Sequence, residues 1–435
     1  MRKSLFIFNI ALLSLLSMSS LAGAKEPIKI TLQDVVKKVS TENYLIYGNA
    51  LRVYEAKQAI KAARGNLLPK LNLWRIAKVV FDPTSVIDLV AEDIAPFAVA
   101  NNWFRLDQTK VLYLAEQEGY RALWANEVMT AKSLYIHLLL DQSLLEHIEQ
   151  STKELEDLLV IVQSRELLGG ANQGASRDIE VRLLALQEDK RSLEVVINEE
   201  ESLLSYMMGF PAETEIKPAS ISMPDFATLE PLDYGDFLFR TLDSSPELRQ
   251  YSHFITAADY VKKEAGNWSI LGASSVSRGV AGGVFDNIPL QDGLGFGKGA
   301  SKSIIGARKE GLQIQKKGIE ETLKRQLKLL VNNYNLDLEN YANLRKREEL
   351  TKETIVQLYE RLELGQNVEA IELIEASRNH IQADTSFFAV KFRFLSNENK
   401  LERLIFHGDY NMKPATIEEL KKNKAAPAKK AGKRA

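Results

Sequence analysis

The side chains best placed to act on something else are carboxylates. Glu372 and Glu375 stand three residues apart in a segment of helical pattern, so they share one helix face and present paired negative charge. Such a pair attracts cations and repels anions. Other chemistries find little support. The 435 residues include no cysteine, which excludes disulfides, thiolate metal sites, a cysteine nucleophile and lipidation on cysteine. Five histidines (137, 147, 253, 380, 407) are scattered, with no pair at metal-ligand spacing. No Ser/His/Asp arrangement stands out, and no carboxylate pair lies in a pocket-like apolar pattern, so no catalytic residue is expected. The run Gly293-x-Gly295-x-Gly297-Lys298-Gly299 lacks the four-residue gap of a P-loop and the Ser or Thr after its lysine. It also lacks the βαβ surroundings of a dinucleotide fingerprint. No metal and no cofactor is expected.

The elements that must position these carboxylates are long. From about Asp107 to Leu168 there is no proline and only Gly119 among glycines, with apolar residues at three- and four-residue spacing: Leu134, Leu138, Leu145, Ile148, Leu155, Leu158 and Ile161. A second long segment runs from about Ala300 to Leu364. Helices of this length imply coiled-coil packing. Each ends at glycine, Gly169-Gly170 and Gly365, and each is followed by another helical segment, about Arg177 to Met208 and about Glu369 to Phe406. The product is a helical hairpin, twice, with these three glycines at the tips.

The two halves read as copies. Arg165-Glu166-Leu167-Leu168-Gly169 parallels Arg361-Leu362-Glu363-Leu364-Gly365; Met208-Gly209 parallels His407-Gly408; Gly65-Asn66 parallels Gly266-Asn267. The offset stays near 200 residues throughout, as a duplication requires. The expected organisation is a signal peptide (1–24), a first repeat (25–209), a proline-rich linker (210–231), a second repeat (232–409) and a basic disordered tail (410–435). The signal rests on Arg2-Lys3, the apolar run Phe6 to Met18 and the A-x-A site at Ala22-Gly23-Ala24. The leader carries two positive charges and residues 421–435 carry seven, which leaves 25–420 at −11 within a net charge of −2. That acidic body disfavours nucleic acid as a partner.

Each repeat holds an insert, 70–106 and 268–300, between its first helices and its long helix. Strands are expected at Leu71–Val80 and Ala95–Leu106, with a short helix after Asp82, and at Ser269–Gly279 and Ile288–Gly299. Strands of this length suffice to cross an outer membrane. Four strands close no usable pore; three chains would supply twelve. Trp74, Trp103 and Trp268 lie near the strand ends, where either a membrane interface or buried packing would suit them.

These features together resemble the TolC-like outer-membrane efflux protein family. The resemblance covers nearly all of 28–409. It is carried by Ile30-Thr31-Leu32-Gln33-Asp34 with Glu42-Asn43, by Leu67-Leu68-Pro69-Lys70-Leu71, by Ser245-Pro246-Glu247-Leu248, by Met208-Gly209-Phe210-Pro211, and by Gly365 followed by Ile371-Glu372-Leu373-Ile374-Glu375-Ala376. It implies a mainly α fold with a small β part: long antiparallel helical hairpins forming an α-barrel, plus four outer-membrane strands per chain, assembled as a trimer around one twelve-stranded barrel. It implies a passive channel in the outer membrane with a periplasmic helical extension, serving a tripartite efflux or type I secretion system. The implied partners are a homotrimer, a periplasmic adaptor protein, an inner-membrane pump and outer-membrane lipid. Glu372 and Glu375 would then ring the entrance, repeated by threefold symmetry, with Asp178 at the matching place in the first repeat. The family's tyrosine and arginine that lock the entrance are replaced here by Leu362 and Asn367. The other reading is a periplasmic coiled-coil interaction protein of the same descent without a working barrel.

Overall fold

The computed structural model describes residues 27–69, 94–167, 174–266, 298–364, 366 and 368–422. The expected signal peptide, the strands at Leu71–Val80 and Ser269–Gly279, nearly all of Ile288–Gly299, and the tip glycines Gly169, Gly170 and Gly365 lie outside these residues.

The chain runs β1 (Ile28–Ile30), α1 (Leu32–Glu42), α2 (Tyr44–Gly65), α3 (Ala100–Leu167), α4 (Ala175–Met207), β2 (Ile216–Pro218), α5 (Tyr234–Ser244), α6 (Pro246–Gly266), α7 (Lys298–Glu363) and α8 (Ala370–Leu404). With 68 and 66 residues, α3 and α7 are each about 100 Å long at 1.5 Å per residue. Each packs antiparallel on the helix that follows it, and α3 also packs on α6 and α8. The only sheet among the described residues is the parallel pair β1–β2, in which Ile28 faces Ile216 and Ile30 faces Pro218.

Helix starts are explained by local chemistry. Thr31 and Asp34 form a capping box at α1: the Asp34 amide donates to the Thr31 hydroxyl oxygen (3.2 Å), and the Thr31 amide donates to the Asp34 carboxylate (3.0 Å). That bonding holds the Asp34 carboxyl below its usual range. Asn43 accepts from the amides of Leu45 and Ile46 at the start of α2 and donates to the Met207 carbonyl (3.1 Å), which ties α2 to the end of α4. Ser245 accepts from the Leu248 amide (3.2 Å), with Pro246 opening α6.

The main core gathers where α1, α2 and the ends of α4 lie against α3. There α3 buries Trp124, Val128, Ala131, Tyr135 and Leu138, spaced four, three, four and three apart. This is the seam of a coiled coil. The Tyr135 hydroxyl lies 2.6 Å from the Ala219 carbonyl and 3.1 Å from that of Ile30, which stitches the small sheet to α3. After α4, Gly209 (φ +73°) closes the chain in the left-handed region, and the Phe210 amide reaches back to the Ser205 carbonyl (3.0 Å). A Cβ at Gly209 would sit 2.7 Å from the Glu42 carbonyl oxygen, so only glycine fits.

Two expectations need correction. The strand at Ala95–Leu106 is instead a 3₁₀ turn (Pro96–Ala98) followed by the start of α3. The Asn102 amide group donates to the Pro96 carbonyl and the Trp103 indole to the Phe97 carbonyl, both at 2.8 Å, and Arg105 is drawn to Glu264 on α6 (2.7 Å). Weak alternation there loses to these bonds and to helix packing. Residues 410–422 of the supposed disordered tail are ordered. Tyr410, Ile417 and Leu420 are buried in the main core, Thr416 and Glu419 form a second capping box, and residues 417–422 are helical. The Tyr120 hydroxyl donates to the Ala415 carbonyl (2.8 Å) and Lys132 pairs with Asp409 (3.0 Å). The linker 210–231 supplies β2 and buries Ile216 and Phe226.

Candidate functional site

The far ends of the hairpins meet in a second apolar cluster. Leu155, Leu158 and Val162 of α3, Ile179, Leu183 and Leu186 of α4, Leu358 and Leu362 of α7, and Leu373 and Ala376 of α8 all contribute, with Val368 before α8. The two hairpins therefore touch each other at their tips. The seam is narrow, and apolar side chains around it stay exposed: Leu167 (89%), Leu364 (75%), Val181 and Ile371.

The carboxylates singled out from sequence sit on this seam's outer side. Glu372 and Glu375 lie in the first turns of α8, exposed, with Leu373 and Ala376 between and beside them turned inward. Asp178 lies in the first turn of α4, exposed, beside the buried Ile179. Glu372 and Asp178 occupy first helical turns, where the helix dipole favours negative charge, and Glu375 lies one turn further along α8. Among the described residues neither Glu372 nor Glu375 has an ion-pair partner, Arg378 included. The fold thus brings Asp178 and the Glu372–Glu375 pair to the same end of the molecule, and leaves them facing solvent.

Sequence reading missed the polar contacts that hold the tips. The Arg165 guanidinium, in the last turn of α3, donates to the Leu362 carbonyl in the last turn of α7 (3.3 Å). The carbonyls of a last helical turn have no partner within the helix, and the helix dipole is negative there, so a cation suits that place. Glu166 does the opposite for its own hairpin. Its carboxylate accepts from the amides of Gly174 (3.1 Å) and Ser176 (3.0 Å) and from the Ser176 hydroxyl (2.7 Å), closing the connection into α4. In the second hairpin Arg361 stays within its own tip, 3.4 Å from Gln366. The parallel between Arg165 and Arg361 in sequence thus hides a difference in role, since only Arg165 crosses between hairpins.

Between tip and core, α3 and α4 share a pair of carboxyl groups, Asp141 and Glu200. Burial and the facing Asp141 push Glu200 up to about 7, and burial raises Asp141 as well. Gln142 donates to Glu201 alongside (3.2 Å). Among the described residues no cluster of His, Asp or Glu has metal-binding geometry, and no helix is long and apolar enough to cross a membrane.

No protein-family model and no curated protein sequence matches the chain. Solved structures do. The Campylobacter jejuni CmeC outer membrane channel superposes with a TM-score of 0.67 at 11% identity, covering 91% of this chain and 88% of that one. The open state of the Neisseria gonorrhoeae MtrE outer membrane channel gives 0.65 at 13%, covering 87% and 89%. A membrane protein from Pseudomonas aeruginosa gives 0.67 at 14%, covering 87% and 91%. The chain has the TolC-like channel fold. The match spans nearly the full length of both partners.

Proposed function

We propose that the chain is the outer-membrane channel of an export system, a passive conduit from periplasm to exterior of the tripartite efflux or type I secretion kind. The observation that carries this reading is the near full-length fold match to outer membrane channels at both of its ends. The two halves support a duplicated origin. Their helices measure 11, 22, 68 and 33 residues in the first and 11, 21, 66 and 35 in the second, in the same order. Three copies would close the twelve-stranded barrel from the inserts 70–106 and 268–300. With Ala95–Leu106 helical, the first insert must find both its strands before residue 95. Exposed Ile94, Phe97 and Trp103 sit at that end of α3, where a lipid interface would receive them. Exposed Val181, Leu184, Val195 and Leu203 along α4 offer apolar surface to a neighbouring copy.

In this reading the helices extend into the periplasm and the hairpin tips form the entrance. Gly169, Gly170 and Gly365, outside the described residues, are the glycines expected at the tips. Glu372, Glu375 and Asp178, each repeated three times, make the entrance selective for cations over anions. The bond from Arg165 to Leu362 and the apolar seam hold it shut in place of the missing tyrosine and arginine. A periplasmic adaptor would open it, and energy would come from an inner-membrane pump; no catalysis is assigned to this chain.

Fractionation tests the reading. After a urea wash of separated membranes, a conduit stays in the outer membrane as a trimer. Release as a soluble monomer would replace it with a periplasmic coiled-coil interaction protein.

A further inference from the structure

A cavity of about 460 Å³ opens where α3, α6, α7 and α8 meet, in the wall of the bundle and away from the tips. Its volume lies in the range of small-molecule sites. Apolar surface comes from Ile319, Leu323 and Leu330 on α7, with Met129 on α3 and Leu404 on α8. Charge comes from Glu247 on α6 and from Lys400 and Arg403, three apart on one face of α8.

The state of these charges decides what the cavity suits. Glu247 is committed: it accepts from the Ser245 hydroxyl (2.9 Å) and pairs with the Arg403 guanidinium. Burial alone would raise its carboxyl, but the Arg403 charge together with the hydrogen bonds from Arg403, Ser245 and the backbone outweighs that and holds it below the usual carboxylate range. Arg403 is 6% exposed, and its Nε is buried with no hydrogen-bond partner. A buried donor without an acceptor is destabilising. Lys400 has no ion-pair partner among the described residues. The lining therefore keeps one unmatched positive charge, Lys400, beside an apolar ridge.

We propose that this cavity binds an anionic amphiphile, a medium-chain carboxylate whose head pairs with Lys400 while its chain lies along α7. The cavity is built within one chain, from residues that include none assigned to the entrance.

The test uses the full chain in lipid nanodiscs, titrated calorimetrically with octanoate, octan-1-ol and octylamine, with empty nanodiscs as blank. Octanoate should bind saturably and about ten-fold tighter than either comparator, the advantage of a charge-assisted hydrogen bond. Lys400→Gln should shrink that advantage and leave octanol binding in place. Thr322, exposed at the rim, admits a larger side chain without disturbing the core, so Thr322→Trp should abolish saturable octanoate binding in a folded protein. Equal affinities for the three probes would mean unspecific partition and would overturn the proposal. So would octanoate binding that survives Thr322→Trp, or no saturable binding at all, the result expected if a neighbouring copy fills the cavity.

Discussion

Along one helix, α3, the protein is held together in two different ways. Around Trp124 and Tyr135 the seam is wide. Aromatic side chains interlock with α1, α2, the end of α4 and the C-terminal segment, and Asn43, Tyr120 and Lys132 each bridge elements far apart in sequence. Around Leu158 and Val162 it is narrow, made of Leu, Ile, Val and Ala with one cationic bridge, Arg165 to Leu362. The first arrangement is over-determined: losing one contact leaves many. The second rests on aliphatic packing and the bond from Arg165 to Leu362. A rigid middle and a weakly sealed end are what a tube with a gate at its tip requires, and the difference lies in residue size and polar bridging rather than in helix propensity.

The comparison breaks most readily at the middle. Trp124→Ala removes the largest fully buried side chain and should cost about 3–5 kcal/mol, read as a large drop in the denaturation midpoint. The like-for-like pair is Leu138→Ala in the middle and Leu158→Ala at the tip, both fully buried, of which the second should cost visibly less. Equal costs would erase the distinction drawn here. Next comes Gly209→Ala, which forces a Cβ into the left-handed region and against the Glu42 carbonyl. A loss of about 1–3 kcal/mol is expected, with no change in any transport property beyond protein yield.

Arg165→Ala sharpens the contrast from the other side. The denaturation midpoint should barely move, because the guanidinium is only half-buried and the apolar seam persists. The closed-state lifetime in planar-bilayer recordings should shorten, with Arg165→Lys intermediate. A large stability loss with unaltered lifetimes would make Arg165 a structural residue and remove it from the gate.

The smallest effect concerns Asp141 and Glu200, between the two regions. Glu200 is raised in the folded state, to about 7, so the folded protein holds a proton that the unfolded chain releases near the ordinary glutamate range. Stability from this site is therefore present at low pH and is lost as pH rises toward 7. The melting temperature of the wild type should fall between about pH 5 and about pH 8 relative to Glu200→Gln, in which that slope is absent. Parallel profiles for the two proteins would show that the carboxyl groups are solvated rather than paired.

The long helices were legible because apolar spacing repeats over many turns and glycine marks the tips; predicted and observed limits of α7 and α8 differ by about two residues at each end. The N-terminus of α3 was misread because Ala95–Leu106 carries no strong period, and its structure is decided by Arg105 finding Glu264 more than 150 positions away. The segment 410–422 was misread as a tail because its lysines masked a capping box and three well-spaced core residues, Tyr410, Ile417 and Leu420. Of the candidate site, the shared helix face of Glu372 and Glu375 followed from their spacing, while Asp178 came from the resemblance alone. Arg165 was not, since its partner is a backbone carbonyl on another hairpin, and a sequence carries no mark for that.

The most direct measurement places a cysteine at the entrance of a protein that has none of its own. Glu372→Cys, reconstituted in a planar bilayer, should conduct when reduced. Oxidation should join neighbouring copies and lower the conductance, and reduction should restore it. A crosslinked assembly whose conductance is unchanged would contradict the account, because the tips would then not be the gate.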